Sequence, residues 1–384
     1  MKTLNVNWFR KTVVLAVTTI AAYSVPAAHA CLEETNLDCL ERSGGWAIAR
    51  DWSTGFVPGT NTNAFIGTGL TATLNSGFGF ANSLKLGPRS ALAVTSGAGM
   101  QSGSVDLEGA GTSLTIGADS TFQTNNLENI NATDGALAGG VVTIAGTLTA
   151  NNAFAIATIA AGTILNLVEN GALNGPDGNA LQSLGTVAEG AQLNLTLGQN
   201  LNIQSSEFTN AGHLYIDSSS VLNVTPPVIV SGKKALLDLY GNFTGANGIL
   251  LKGGATAMGG GTVVVDDDEP FINDAFLAPF DDSGNPTTFT VDGDYVQESD
   301  GDLYIFIAGN GSSDSSLVDV DGSATLDGTL VINVDEGVTL TPGTTIPIMF
   351  ASRRSGKFTK VIVNGTTLPV NVSYGPTEVD LTIG

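Results

Sequence analysis

The chain has 384 residues, of which 49 are glycine and only 13% are charged, against a usual charged share of ~25%. Its formal charge of −22 repels phosphate backbones and anionic headgroups, which argues against nucleic acid as a partner. Lys and Glu give way to Gly, Ser, Thr and Asn, so many short strands with tight turns are predicted rather than long amphipathic helices.

At the N-terminus, Lys2, Arg10 and Lys11 flank and precede an uncharged, mostly apolar run from Thr12 to Val25. Ala28-His29-Ala30 then supplies a small-x-small cleavage pattern. The run is short of the ~20 residues that span a bilayer. Residues 1–30 are therefore predicted to be a secretory signal, with no integral membrane span once it is removed. The exported chain would carry 11 basic and 36 acidic side chains.

Cys31 and Cys39 are the two cysteines of the chain. An even count in an exported protein favours a disulfide, here Cys31–Cys39 closing the loop CLEETNLDC. Acylation of Cys31 is the alternative. Residues 31–60 are predicted to be an N-terminal capping segment.

From about residue 61 a four-residue frame recurs, with apolar second and fourth positions. It reads ALAV from Ala91, SLTI from Ser113, VVTI from Val141, ILNL from Ile164, QLNL from Gln192, HLYI from His213 and LLDL from Leu236. Successive starts lie 22, 28, 23, 28, 21 and 23 residues apart. A loose period in the twenties with strand alternation in each copy predicts a β-solenoid over 61–265. Residues two apart face one side of a strand, so Leu114 and Ile116, Leu193 and Leu195, and Leu214 and Ile216 are predicted core. Gly and Asn supply the corners. The alternative is a β-sandwich whose strands happen to recur. The apolar run Ala153–Val168 carries Thr158, Gly162, Thr163 and Asn166, and is read as a buried rung rather than a membrane helix.

Residues 266–289 break the rhythm with Pro270, Pro279 and Pro286, interleaved with Phe271, Phe276 and Phe280. They are predicted to form an acidic, aromatic linker to a C-terminal β module over 290–384. Between Gly253 and Ser352 there are 18 acidic residues and no Lys or Arg. Carboxylates are calcium ligands, and Asp266, Asp267, Asp268, Asp281 and Asp282 are the candidate ligands there. The competing reading is a solvated negative surface. Calcium is the one cofactor the sequence suggests.

His213 is the single histidine after residue 30. General acid–base chemistry needs partners within hydrogen-bond reach, and only Asp217 and Asp238 are near it in the frame. It is read as an exposed structural residue, with no catalytic residue assigned. With one His and two paired cysteines no tetrahedral zinc set is visible.

Three stretches resemble the passengers of bacterial autotransporters and related cell-surface β-helix proteins. They are WAIARDWSTGFVPGTNTNAFIG from Trp46, FTNAGHLYIDSSSVLNV from Phe208, and the C-terminal run containing VDGDYVQESDGDLYIFI, LVDVDGSATLDGTLVINV and TPGTTIPIMFASRRSGKF. The resemblance implies a right-handed parallel β-helix with a C-terminal β-rich cap, exported to the cell surface or medium, or held in the periplasm if no outer-membrane route exists. A translocator barrel of at least eight amphipathic strands is not recognisable. The expected function is a non-enzymatic surface solenoid, adhesin-like or structural. Its expected partners are surface glycans, host or sister-cell surfaces, or copies of itself. The alternatives are a β-helix lyase or hydrolase acting on polysaccharide, and the passenger fragment of a longer autotransporter.

Overall fold

The computed structural model describes residues 37–107, 111–266 and 268–384. The predicted signal peptide, Cys31 and Asp267 lie outside the described residues, and with Cys31 the predicted Cys31–Cys39 bridge. The described chain is a parallel β-solenoid of about 13 turns, with no α-helix. No helix among the described residues is long and apolar enough to cross a membrane. Two compact units divide it, one of residues 37–237 with Gly241–Thr244, the other of Asp238–Tyr240 with Gly245–Gly384.

The first unit is built on the predicted frame. Thr71–Leu74, Ala91–Val94, Ser113–Ile116, Val141–Ile144, Ile164–Val168, Gln192–Thr196 and His213–Ile216 form seven consecutive parallel strands. The register is position for position: Val142 lies between Leu114 and Leu165, and Leu193 between Leu165 and Leu214. Leu92, Leu114, Val142, Leu165, Leu193 and Leu214 thus stack as one buried column, and Val94, Ile116, Ile144, Leu167, Leu195 and Ile216 as a second. Each such side chain contributes roughly 1.5–3 kcal/mol through removal from water. The column needs its neighbours, because a lone rung exposes its apolar side.

Other strands of this unit close the coil. Asn63–Ile66, Phe78–Leu86, Gly99–Leu107 and Thr121–Leu127 pair in parallel. The last three are long and bend. Pairing skips Asn82 opposite Gly103, and side-chain alternation slips by one residue there. A Cβ on Gly103 would sit 2.3 Å from the Asn82 carbonyl oxygen, so the bend admits only glycine without a backbone shift.

The described part of the segment 31–60 carries a small aromatic cluster. Trp46 and Trp52 are buried and meet edge to face at 4.9 Å, and the Trp52 indole N–H donates to the Trp46 carbonyl at 2.8 Å. Asp38, also buried, accepts from the Ser53 hydroxyl, the Thr54 hydroxyl and the Thr54 backbone N–H. Arg42 pairs with Asp51 at 2.6 Å. Cys39 is buried in the strand Leu37–Leu40.

In the second unit, the segment 266–289 contains regular structure where the sequence suggested a linker. Phe271–Ala278 is an eight-residue strand, parallel to Ile249–Gly259 on one side and to Tyr295–Gln297 and Asp302–Leu303 on the other. Pro270 and Pro279 flank this strand and do not interrupt it, so no ladder bond is lost. Phe271 stacks on Phe289 at 5.7 Å and meets Tyr295 at 5.9 Å. Phe280 is also buried, against Phe306 at 4.6 Å, whereas Phe276 is partly exposed beside Tyr304 at 6.0 Å. Parallel pairing continues through Leu317–Leu326, Thr329–Val334, Thr345–Gly356 and Lys360–Asn364. Then the direction reverses: Glu378–Ile383 is antiparallel to both Val370–Tyr374 and Thr345–Gly356. This is the β-rich C-terminal module.

Candidate functional site: two uncharged sheet faces

Inward alternation of the frame strands fixes what points outward. The first positions present Thr71, Ala91, Ser113, Val141, Ile164, Gln192 and His213. The third positions present Thr73, Ala93, Thr115, Thr143, Asn166, Asn194 and Tyr215. No Asp, Glu, Lys or Arg occurs at these outward positions, in a chain with 36 acids. Neighbouring rungs are ~4.8 Å apart, so like groups repeat at that interval. The amides are linked: the Asn194 side chain donates to the Asn166 amide oxygen at 2.7 Å, and Asn166 donates to the Thr143 hydroxyl at 2.9 Å.

A second face lies on other strands of the same unit. Phe78, Gly99, Thr121, Thr147 and Ala172 occupy one outward row. Phe80, Gln101, Gln123, Thr149 and Asn174 occupy the next. These ten positions carry no charge, and the charged pair of positions on the same strands, Lys85 and Asp106, lies beyond the bend. Phe78 is 60% exposed, on a regular strand. Its ring lies against the backbone of Gly99, where an added Cβ would come within 2.3 Å of Phe78 Cε2. Phe80 is beside it at 5.2 Å.

His213 sits at the end of the first row, partly exposed and edge-on to Tyr215 with ring centroids 6.5 Å apart. The carboxylate of Asp217 is committed to its own corner. It accepts from the Ser219 and Ser220 hydroxyls and from the backbone N–H groups of Ser219 and Leu197. Partial burial opposes its charge, but these hydrogen bonds prevail and hold the carboxyl below its usual range. Asp217 is thus a brace of its own corner.

Of the calcium candidates, Asp281 accepts from the Ser283 and Asn285 backbone N–H groups and from the Asn285 side chain, all within its own turn. Asp282 accepts the Tyr240 hydroxyl at 2.7 Å. Burial first, and then this bond and the neighbouring carboxylates, push the Tyr240 phenol far above its usual range. Asp266 and Asp268 are exposed. Among the described residues, no group of three or more His, Cys, Asp and Glu side chains is placed to hold a metal ion.

Two further groups could be read as an acid–base pair. Burial raises the Asp302 carboxyl above its usual range against the opposing pull of Thr329 and Lys360, and burial pushes the Tyr304 phenol up to about 12. Both lie on the ladder strand Asp302–Ile307, partly covered by their neighbours, and a partly buried strand position shifts titration without any catalytic role. A depression lined by Ser43, Gly44, Ile48, Thr71, Thr73 and Ser76 has no ionisable side chain in its wall.

The sequence singled out the first face only as a ladder, and did not find the second. Comparison with protein-family models and with curated protein sequences returns no match. What the chain is rests on its fold: a β-helix protein.

Proposed function

We propose that the protein is an exported, non-enzymatic surface solenoid that makes contacts through its uncharged lateral faces, as an adhesin-like or structural component of the cell surface. The observation that carries this reading is the seven-strand face whose outward positions hold hydroxyls, amides, an imidazole, a phenol and small or branched aliphatic groups but no Asp, Glu, Lys or Arg. A net-acidic protein that keeps one broad face neutral removes the electrostatic and desolvation penalties to contact there, while its remaining surface repels anionic polymers. The likeness to autotransporter passengers is part of this proposal, as are export and the surface location. The test combines fractionation of expressing cells with adhesion of protein-coated beads to intact cells. Recovery in the surface or culture fraction with adhesion above that of an unrelated acidic protein is expected. Retention in the cytoplasm, or adhesion equal to the control, overturns the proposal. Release of oligosaccharides from a polysaccharide by the purified protein carries the enzymatic alternative instead.

A further inference from the structure

Phe78 is a large apolar side chain, 60% exposed on a regular sheet, with its ring against Gly99 and Phe80 beside it. Nothing in the fold requires it there, because the core column is complete with Gly79 and Ala81 facing inward. Removing its ring from water would recover free energy that folding leaves unused.

The surroundings say what would cover it. In the neighbouring row, Gln101 and Gln123 are exposed and Thr149 and Asn174 half-exposed, on successive strands. Each carboxamide offers two donors and an acceptor, and each hydroxyl one donor and two lone-pair sites. An aromatic face carries negative quadrupole and attracts polarised C–H groups. A flat aliphatic ring with C–H groups on its faces and hydroxyls around its rim matches both features, and that ring is a pyranose. The absence of charge on all ten outward positions selects against uronic acids and sulfated sugars, since none of the ten is a cation to hold them in a strongly acidic chain and Lys85, beyond the bend, stands opposite Asp106.

We propose that this face binds a neutral polysaccharide, with one pyranose stacked on Phe78 beside Phe80 and the chain crossing the rungs so that successive residues meet Gln101, Gln123 and Thr149. The inference rests on the reading of the protein as a non-catalytic contact protein and gives that contact a chemical class. Gly99 is the positioning residue. Its missing side chain leaves the space that the ring occupies, which holds the ring in one orientation before binding and limits the entropy lost when the sugar arrives.

The test uses the full exported chain with cellohexaose, chitohexaose, mannohexaose and xylohexaose as probes, and hexagalacturonate as the charged control. Binding is read by calorimetry and by quenching of the protein's fluorescence. At least one neutral hexasaccharide is expected to bind and the galacturonate not. Phe78→Ala should weaken binding about tenfold or more without moving the melting temperature, because the ring is outside the core. Gly99→Ala keeps the ring but lifts it from the sheet, and should weaken binding several-fold. Gln101→Ala with Gln123→Ala should do the same. Binding of no neutral probe overturns the inference. So does binding that survives both Phe78→Ala and Gly99→Ala, or binding of the galacturonate in preference. In each of these cases bead adhesion to cells, measured separately, still decides the broader function.

Discussion

The side-chain amide of Asn194 donates to the amide oxygen of Asn166 at 2.7 Å, and Asn166 passes a donor on to Thr143 at 2.9 Å. The relay runs in one direction over three rungs and ties outward side chains whose backbones are already paired. Asn166→Ala removes both bonds at once. A loss of about 1 kcal/mol is expected, seen as a lower urea midpoint. Asn166→Asp keeps an acceptor for Asn194 but loses the donor to Thr143 and puts a charge on the neutral face. It should be no better than alanine in stability.

Leu214 and His213 are adjacent in sequence and opposite in consequence. Leu214 is fully buried beside Leu193 in the column, whereas His213 is partly exposed. Leu214→Asp places a charge in the column and should cost at least about 4 kcal/mol, enough to compromise expression. His213→Ala should stay within about 0.5 kcal/mol of the parent. Thermal melts of the two variants side by side decide the matter, and equal melts would contradict the column.

Asp217 gives the acid limb of stability a local cause. Its carboxyl is lowered from 3.8 by the hydrogen bonds of its corner. A carboxyl depressed in the folded state contributes stability that is present above the unfolded value and lost as pH falls through the folded one. Asp217→Ala should therefore lower the melting temperature at neutral pH and make the profile flatter below about pH 4. Because the side chain is only partly buried, the effect should be modest, and it should shrink in salt only slightly, since hydrogen bonds rather than distant charges produce it.

Two glycines separate crowding from backbone conformation. A Cβ on Gly171 would lie 1.8 Å from the Ile144 carbonyl oxygen, while Gly190 has φ +79° and nothing within 4 Å of such a Cβ. Gly171→Ala must move one rung against the next and should cost roughly 2–3 kcal/mol. Gly190→Ala meets only the left-handed penalty of about 1 kcal/mol. A reversed order of urea midpoints would show that the corner, not the close approach, sets the limit.

The frame face was legible because its strands are four to five residues long and alternate without fault, so Leu193, Leu214 and their counterparts declare both the strand and its buried side. Thr71–Leu74 belongs to the same series, but with Ala72 in place of a larger residue its signal is weaker. The Phe78 face was not legible. Its inward positions include Gly79, Ser102 and Thr124, which do not read as core, and the bend at Asn82 and Gly103 shifts the alternation halfway along. The seating of Phe78 on Gly99 joins residues 21 apart with nothing in either neighbourhood to announce it. The strand Phe271–Ala278 was hidden by its prolines, which stand at its ends. The carboxylate-rich turn after Pro279 had two readings, and Asp281 spends its oxygens on the Ser283 and Asn285 backbone N–H groups and the Asn285 side chain.

Between Thr71 and His213 the frame strands start 20 to 28 residues apart, yet the pairing never slips by one position. The surplus is taken up outside the frame, in small hairpins such as Asn174–Gly175 against Gly178–Asn179 and Ile130–Asn131 against Ala136–Leu137. Spacing on the faces is thus decoupled from spacing along the gene. Codons can be gained or lost at a corner, and a peptide as large as an epitope tag can be hung beside Asp177, while every hydroxyl and amide on the flat sides keeps its address.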